Sequence, residues 1–173
     1  MLNKMLVTLG FATFGAIFTA QAGPPLICHP YNIGAAQSLP WGTSAAAGWD
    51  NPEANYNVQQ LSADTLRLLN EKMPVLVRME TLRRAAIYGA KDHRAATELL
   101  SNLRKRAEGG DTLALFDYGY FVETIGQLQF KYKDDITNGA DGSAFVAKAL
   151  AREPGSIEMR NAANVIASSK PVK

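Results

Sequence analysis

Apolar residues recur at helical spacing from residue 57 onward, and no stretch alternates long enough to read as a strand. Val58, Leu61, Thr65 and Leu68 or Leu69 fall three to four residues apart, and Asn57 with Gln60 supplies a cap-and-N3 pair at their start. Pro74 is expected as the first residue of a second helix, which carries the stripe Val75, Met79, Leu82 and Ala86 and ends near Gly89. Asp92 is a natural N-cap for a third, with Ala96, Leu99 or Leu100, Leu103 and Ala107 along one face. Gly109-Gly110 stops that helix and Asp111 caps another.

The next segment, "TLALFDYGYFVETIGQLQFKY" from Thr112 to Tyr132, is apolar nearly all round, as expected of a central helix buried on several sides. Gly119 and Gly126 lie on roughly one of its faces and would let a neighbouring helix approach closely. A polar loop follows, then a helix around Ser143 to Arg152, a break at Pro154-Gly155 and a last helix from Ser156 to Ala167. The connections are short, which favours antiparallel neighbours. The pattern predicts an all-α body of about six helices over residues 57–168, an array of antiparallel helical hairpins or an irregular bundle, with a flexible tail at 169–173.

Residues 23–56 show no such period. They are rich in Gly, Pro, Asn and Ala, yet hold both tryptophans, Trp41 and Trp49. A disordered tail rarely carries such residues, so this stretch reads as an irregular arm lying against the helices. The alternative is an arm that presents its tryptophans as a binding surface. Upstream, Lys4, the charge-free run from Met5 to Ala20 and Ala20-Gln21-Ala22 form a secretory signal at 1–22, with cleavage expected after Ala22. The run is short for a span and lacks a stop-transfer flank. The mature chain is therefore expected in the periplasm or outside the cell, not integrated in a membrane.

From Asp111 to Pro154 the sequence resembles a tetratricopeptide-type repeat. Tyr118-Gly119 followed by Val122 matches the large-Gly-x-x-large pattern of that family's first helix. Gly142, Val146, Ala149 and Pro154 match the small, large, Ala and Pro positions of its second. The loop at 133–141 departs from it, standing where the family has a tight turn. The resemblance implies an interaction scaffold and names no partner.

Charge and chemistry narrow this further. The formal net charge is +2 before the signal is removed, and nothing in that balance asks for nucleic acid. Between Arg78 and Arg106, basic residues outnumber Glu80, Asp92 and Glu98. Pairing of Glu80 with Arg83 and Arg84 at three and four residues' separation absorbs part of the excess. A surplus gathered in one patch would suit an anionic envelope polymer or lipid headgroup. Arg83, Arg84, Trp41 and Trp49 are accordingly the candidate binding residues.

Cys28, the only cysteine, stands beside His29. In an exported chain it cannot form an internal disulfide, so it reads as a buried thiol or as a reactive one that links two copies. Haem attachment would need a second cysteine where Pro25 stands, and one Cys with two His cannot make a structural zinc site, so no cofactor or metal is expected. The polar loop placed as an EF-hand from Asp134 has Ile136 and Phe145 at ligand positions, which excludes that motif. Asp117 and Glu123 sit in the most apolar segment, where a buried carboxylate needs a partner, with Arg78, Arg83 or Arg84 in reach. The leading expectation is a non-catalytic, exported helical-repeat protein that binds another protein or an envelope component. An alternative is a small exported hydrolase using Glu123, Asp117 or His93 in a groove between helices.

Overall fold

Capping side chains set where the helices begin. Asn57 accepts from the backbone N–H of Gln59 and starts a single 3-10 turn, Val58–Gln60, that runs into helix α1, Leu61–Leu68. Helix α2 covers Val75–Gly89, with Pro74 at the N-cap, one residue earlier than expected. Asp92 accepts from the N–H groups of Arg94 and Ala95 to open α3, His93–Glu108. Asp111 accepts from Ala114 to open α4, Thr112–Gln127, and Asp141 accepts from Ala144 to open α5, Gly142–Arg152. Helix α6 spans Ile157–Ser169. The structure, a computed structural model, describes residues 26–44, 47–132 and 134–169. The expected signal at 1–22 and the tail beyond Ser169 lie outside them.

The described residues form an all-α array of six helices with an irregular arm, and their only β pairing is a single bridge between Trp41 and Pro52. Helix α4 is central. It packs against α2, α3, α5 and α6, and residues on every face of it are buried, Phe116, Tyr120 and Phe121 completely. Close approach of α4 and α5 depends on Gly119 and Gly142. A Cβ on Gly119 would lie 2.5 Å from the Gly142 carbonyl oxygen and 2.9 Å from the Val146 nitrogen. Gly126 differs from the expectation: it is exposed and faces open space, because α4 projects past the start of α5 there.

Helix α2 departs from its sequence pattern. One stripe was expected to be buried, yet Arg78, Glu80, Thr81 and Arg83 are buried as well. Arg78 is covered by Asp117 of α4, and Glu80, Thr81 and Arg83 are covered by the arm. Leu26, Ile27 and Leu39 are buried in the common core, Ser38 bonds Thr81 at 2.9 Å, and the Leu26 N–H donates to Gln127 Oε1 at 2.9 Å.

Candidate functional site

The chemistry-bearing residues fall into three places. The first is the contact between α2 and the arm. Arg83, placed one turn after Glu80, donates from Nε to Oε2 at 2.8 Å and from Nη2 to Oε1 at 2.9 Å. Arg84 Nε reaches Oε1 at 2.8 Å, and the Tyr31 N–H reaches Oε2 at 3.1 Å. Glu80 thus receives four donors. Burial alone would raise its pKa; the two guanidiniums and the Tyr31 N–H outweigh it and hold the carboxyl below its usual range.

The outward nitrogens of the same arginines bind arm backbone. Arg83 Nη1 donates to the carbonyls of Ile27 and Trp49, both at 3.0 Å, and Arg84 Nη1 donates to that of Leu39 at 2.7 Å. Trp41 covers both guanidiniums, at 5.0 and 5.5 Å from its ring centroid, and meets Tyr88 edge-on. Tyr88 donates to the Pro40 carbonyl at 2.7 Å and accepts from the Glu53 N–H at 2.8 Å. Trp49 lies 5.2 Å from the Lys131 ammonium, which also pairs with Asp50. So the four residues expected to bind are brought together: Trp41 and Trp49 belong to the arm, and Arg83 and Arg84 hold the arm to α2.

Cys28 sits at the edge of this contact, partly buried. Burial pushes its thiol up, against the opposing pull of the Arg83 charge. That lowers the thiolate fraction available for disulfide exchange. His29 is exposed.

The second place is the interior of the array. Asp117 meets Arg78, one of the three expected partners, at 2.6 Å, with both residues buried. Arg78 also donates to the carbonyls of Met73, at 3.2 Å, and Asn70. Asp117 Oδ1 has no hydrogen-bond partner. Burial therefore outweighs the Arg78 charge and lifts the Asp117 carboxyl to about 6. Glu123 lies at the N-terminus of α5, accepting from the Ser143 N–H at 2.7 Å, where the positive end of the helix favours a carboxylate. His93, the first residue of α3, stacks on Tyr132 with ring centroids 4.9 Å apart. These three groups have different partners on different elements, and none of them lines a described groove.

The third place is an open groove of about 640 Å³ between α5 and α6. Its floor is Val146 and Ile166, each 1 % exposed. Ala147 and Ala151 line it from α5, Ala163 and Ala167 line it from α6, and Arg160 is its only charged lining residue. The other described grooves are less than half its volume. Sequence reasoning passed over this site because it weighted chemistry-bearing side chains. The available signal was a pair of alanines one turn apart on each of two consecutive helices.

Among the described residues no group of His, Cys, Asp and Glu side chains is placed to hold a metal ion. Among them, too, no helix is long and apolar enough to cross a membrane. Comparison with known proteins finds no protein family, no curated relative and no solved structure that matches the chain.

Proposed function

We propose that the chain is an exported helical-hairpin scaffold whose work is to bind another protein. The observation that supports this most is the α5–α6 groove, an open apolar concavity in the size range of ligand sites. A tetratricopeptide-like ancestry of the α4–α5 hairpin fits the same reading, since arrays of that kind bind along exposed helix faces. Export rests on the leader pattern of residues 1–22.

The test is affinity capture from a cell-envelope extract with the chain beginning at Gly23, run beside the same chain unfolded and immobilised. A discrete protein retained by the folded chain alone, in amounts comparable to the bait, is the expected result. Recovery of the same proteins on both matrices would overturn the reading. So would retention of an anionic polymer or lipid alone, which would make the envelope component the ligand. Mass measurement of the exported chain shows in the same preparation whether cleavage follows Ala22.

A further inference from the structure

We infer that the α5–α6 groove receives an amphipathic helix of the partner protein, apolar along one stripe and carrying a carboxylate at the end that meets Arg160; this rests on the binding role proposed above. The first argument is shape. The α5 lining runs from Ser143 to Pro154, about 16 Å or three helical turns. The groove is open on one side, so its occupant keeps a second face in water. A helix with one apolar stripe meets that condition, whereas a wholly apolar molecule would remain partly hydrated.

The second argument is the height of the walls. Alanines at 147 and 151 on α5 and at 163 and 167 on α6 form one-turn rows only a methyl group tall. Leucine-sized side chains of a third helix can pass between them to the Val146–Ile166 floor. Ile157, 68 % exposed and one turn before Arg160, extends the apolar surface at the same end.

The third argument is charge. No carboxylate lines the groove, and Arg160 spends one donor on the Pro154 carbonyl. A guanidinium has five N–H donors, so the rest are free to receive a carboxylate in a forked geometry. The groove lining carries no acid of its own, so the carboxylate is supplied by the occupant.

The probe is a displayed library of four-turn helices with leucines at i, i+4 and i+7 and a flanking position varied among Glu, Gln and Lys. It is selected on the mature wild-type chain, and the enriched peptides are then measured on Ala151→Trp and Arg160→Glu. Ala151 and Arg160 are exposed, so both Ala151→Trp and Arg160→Glu are expected to melt like the wild type; should Ala151→Trp fail to fold, Ala147→Glu takes its place. Enriched peptides should carry Glu, lose affinity by about tenfold or more on the filled groove, and switch to Lys on Arg160→Glu with a change of roughly threefold or more. Equal retention on Ala151→Trp, a Lys preference on the wild type, or an unaltered preference on Arg160→Glu overturns the assignment. Saturation of the groove by dodecanoate in place of any peptide overturns it in favour of a small amphiphile. If the protein captured from the envelope binds Ala151→Trp and Arg160→Glu as it binds wild type, the binding role stands and the groove is not its site.

Discussion

Glu80 and Asp117 are both buried carboxylates that face arginines, and their surroundings move them in opposite directions. Glu80 has four donors on two oxygens, whereas Asp117 has one donor and a bare Oδ1. Glu80→Gln leaves the Arg83 guanidinium, 0 % exposed, without its counter-charge, and a broken buried pair costs about 3–5 kcal/mol. Urea unfolding at neutral pH should show that loss. The pH signs follow from linkage. Glu80 has a depressed folded pKa, so its contribution is present above the ordinary carboxylate range and is lost as pH falls through the folded value. Asp117, lifted to about 6, binds its proton more tightly folded than unfolded. Its ionisation therefore erodes stability as pH rises from about 4 to about 6, by on the order of 2–3 kcal/mol. Urea midpoints of wild type and Asp117→Asn across that window should show the wild type losing ground to the variant as pH rises, then a constant difference above it. A difference independent of pH would mean that folding leaves the Asp117 pKa unshifted. The Glu80 spacing to Arg83 and Arg84 was legible in the sequence. Its burial was not, because an i,i+3 and i,i+4 charge set reads the same on a solvent face as under an arm.

Helix by helix, the array was readable wherever a cap and an apolar period coincide, as at Asn57, Asp92 and Asp111. The glycines of α4 show where that stops. Gly119 and Gly126 occupy similar faces of one helix, and only the contact with α5 distinguishes them, which lies outside any local pattern. An added Cβ at 119 meets backbone of α5 on two sides, and backbone cannot swing aside as a side chain can. Gly119→Ala should therefore destabilise by about 1–3 kcal/mol through overpacking, despite the roughly 1 kcal/mol that alanine gains in helix propensity. At 126 nothing lies within 4 Å, so Gly126→Ala should stabilise by about 0.5 kcal/mol, less than the full propensity because it is near the helix end. Thermal melts of the two variants should move in opposite directions from the wild type. Shifts of the same sign would mean that α4 and α5 are not held at glycine distance. The groove beyond α5 was invisible for a related reason: alanines at 147, 151, 163 and 167 carry no charge or bulk to mark them, and only the angle between two helices makes them walls.

For the molecule as a whole, the arm is a structural layer. Its tryptophans and aliphatic residues led to the expectation that it docks, with a tryptophan binding surface as the alternative, and its lack of periodicity hid that it docks on α2. Docking rests on two kinds of contact. Leu26, Ile27 and Leu39 enter the core, each worth about 1.5–3 kcal/mol when fully buried. Arm carbonyls at Ile27, Leu39 and Trp49 take up the outward donors of Arg83 and Arg84. The dependence runs both ways, because without those carbonyls the α2 arginines keep one buried carboxylate between two cations and lose their remaining acceptors. A chain beginning at Asn57 would uncover the core surface that Leu26, Ile27 and Leu39 fill and leave that charge set half satisfied. Marginal domains do not survive losses of this size, so such a chain should show helical circular dichroism without a cooperative urea transition. The arm's bonds are mostly between its backbone and side chains of α2, so a peptide of residues 26–56 added in excess should restore a sigmoidal transition. A truncated chain that unfolds sharply at the wild-type midpoint would show that the helices stand alone, and the arm would then be free to leave α2 and bind elsewhere.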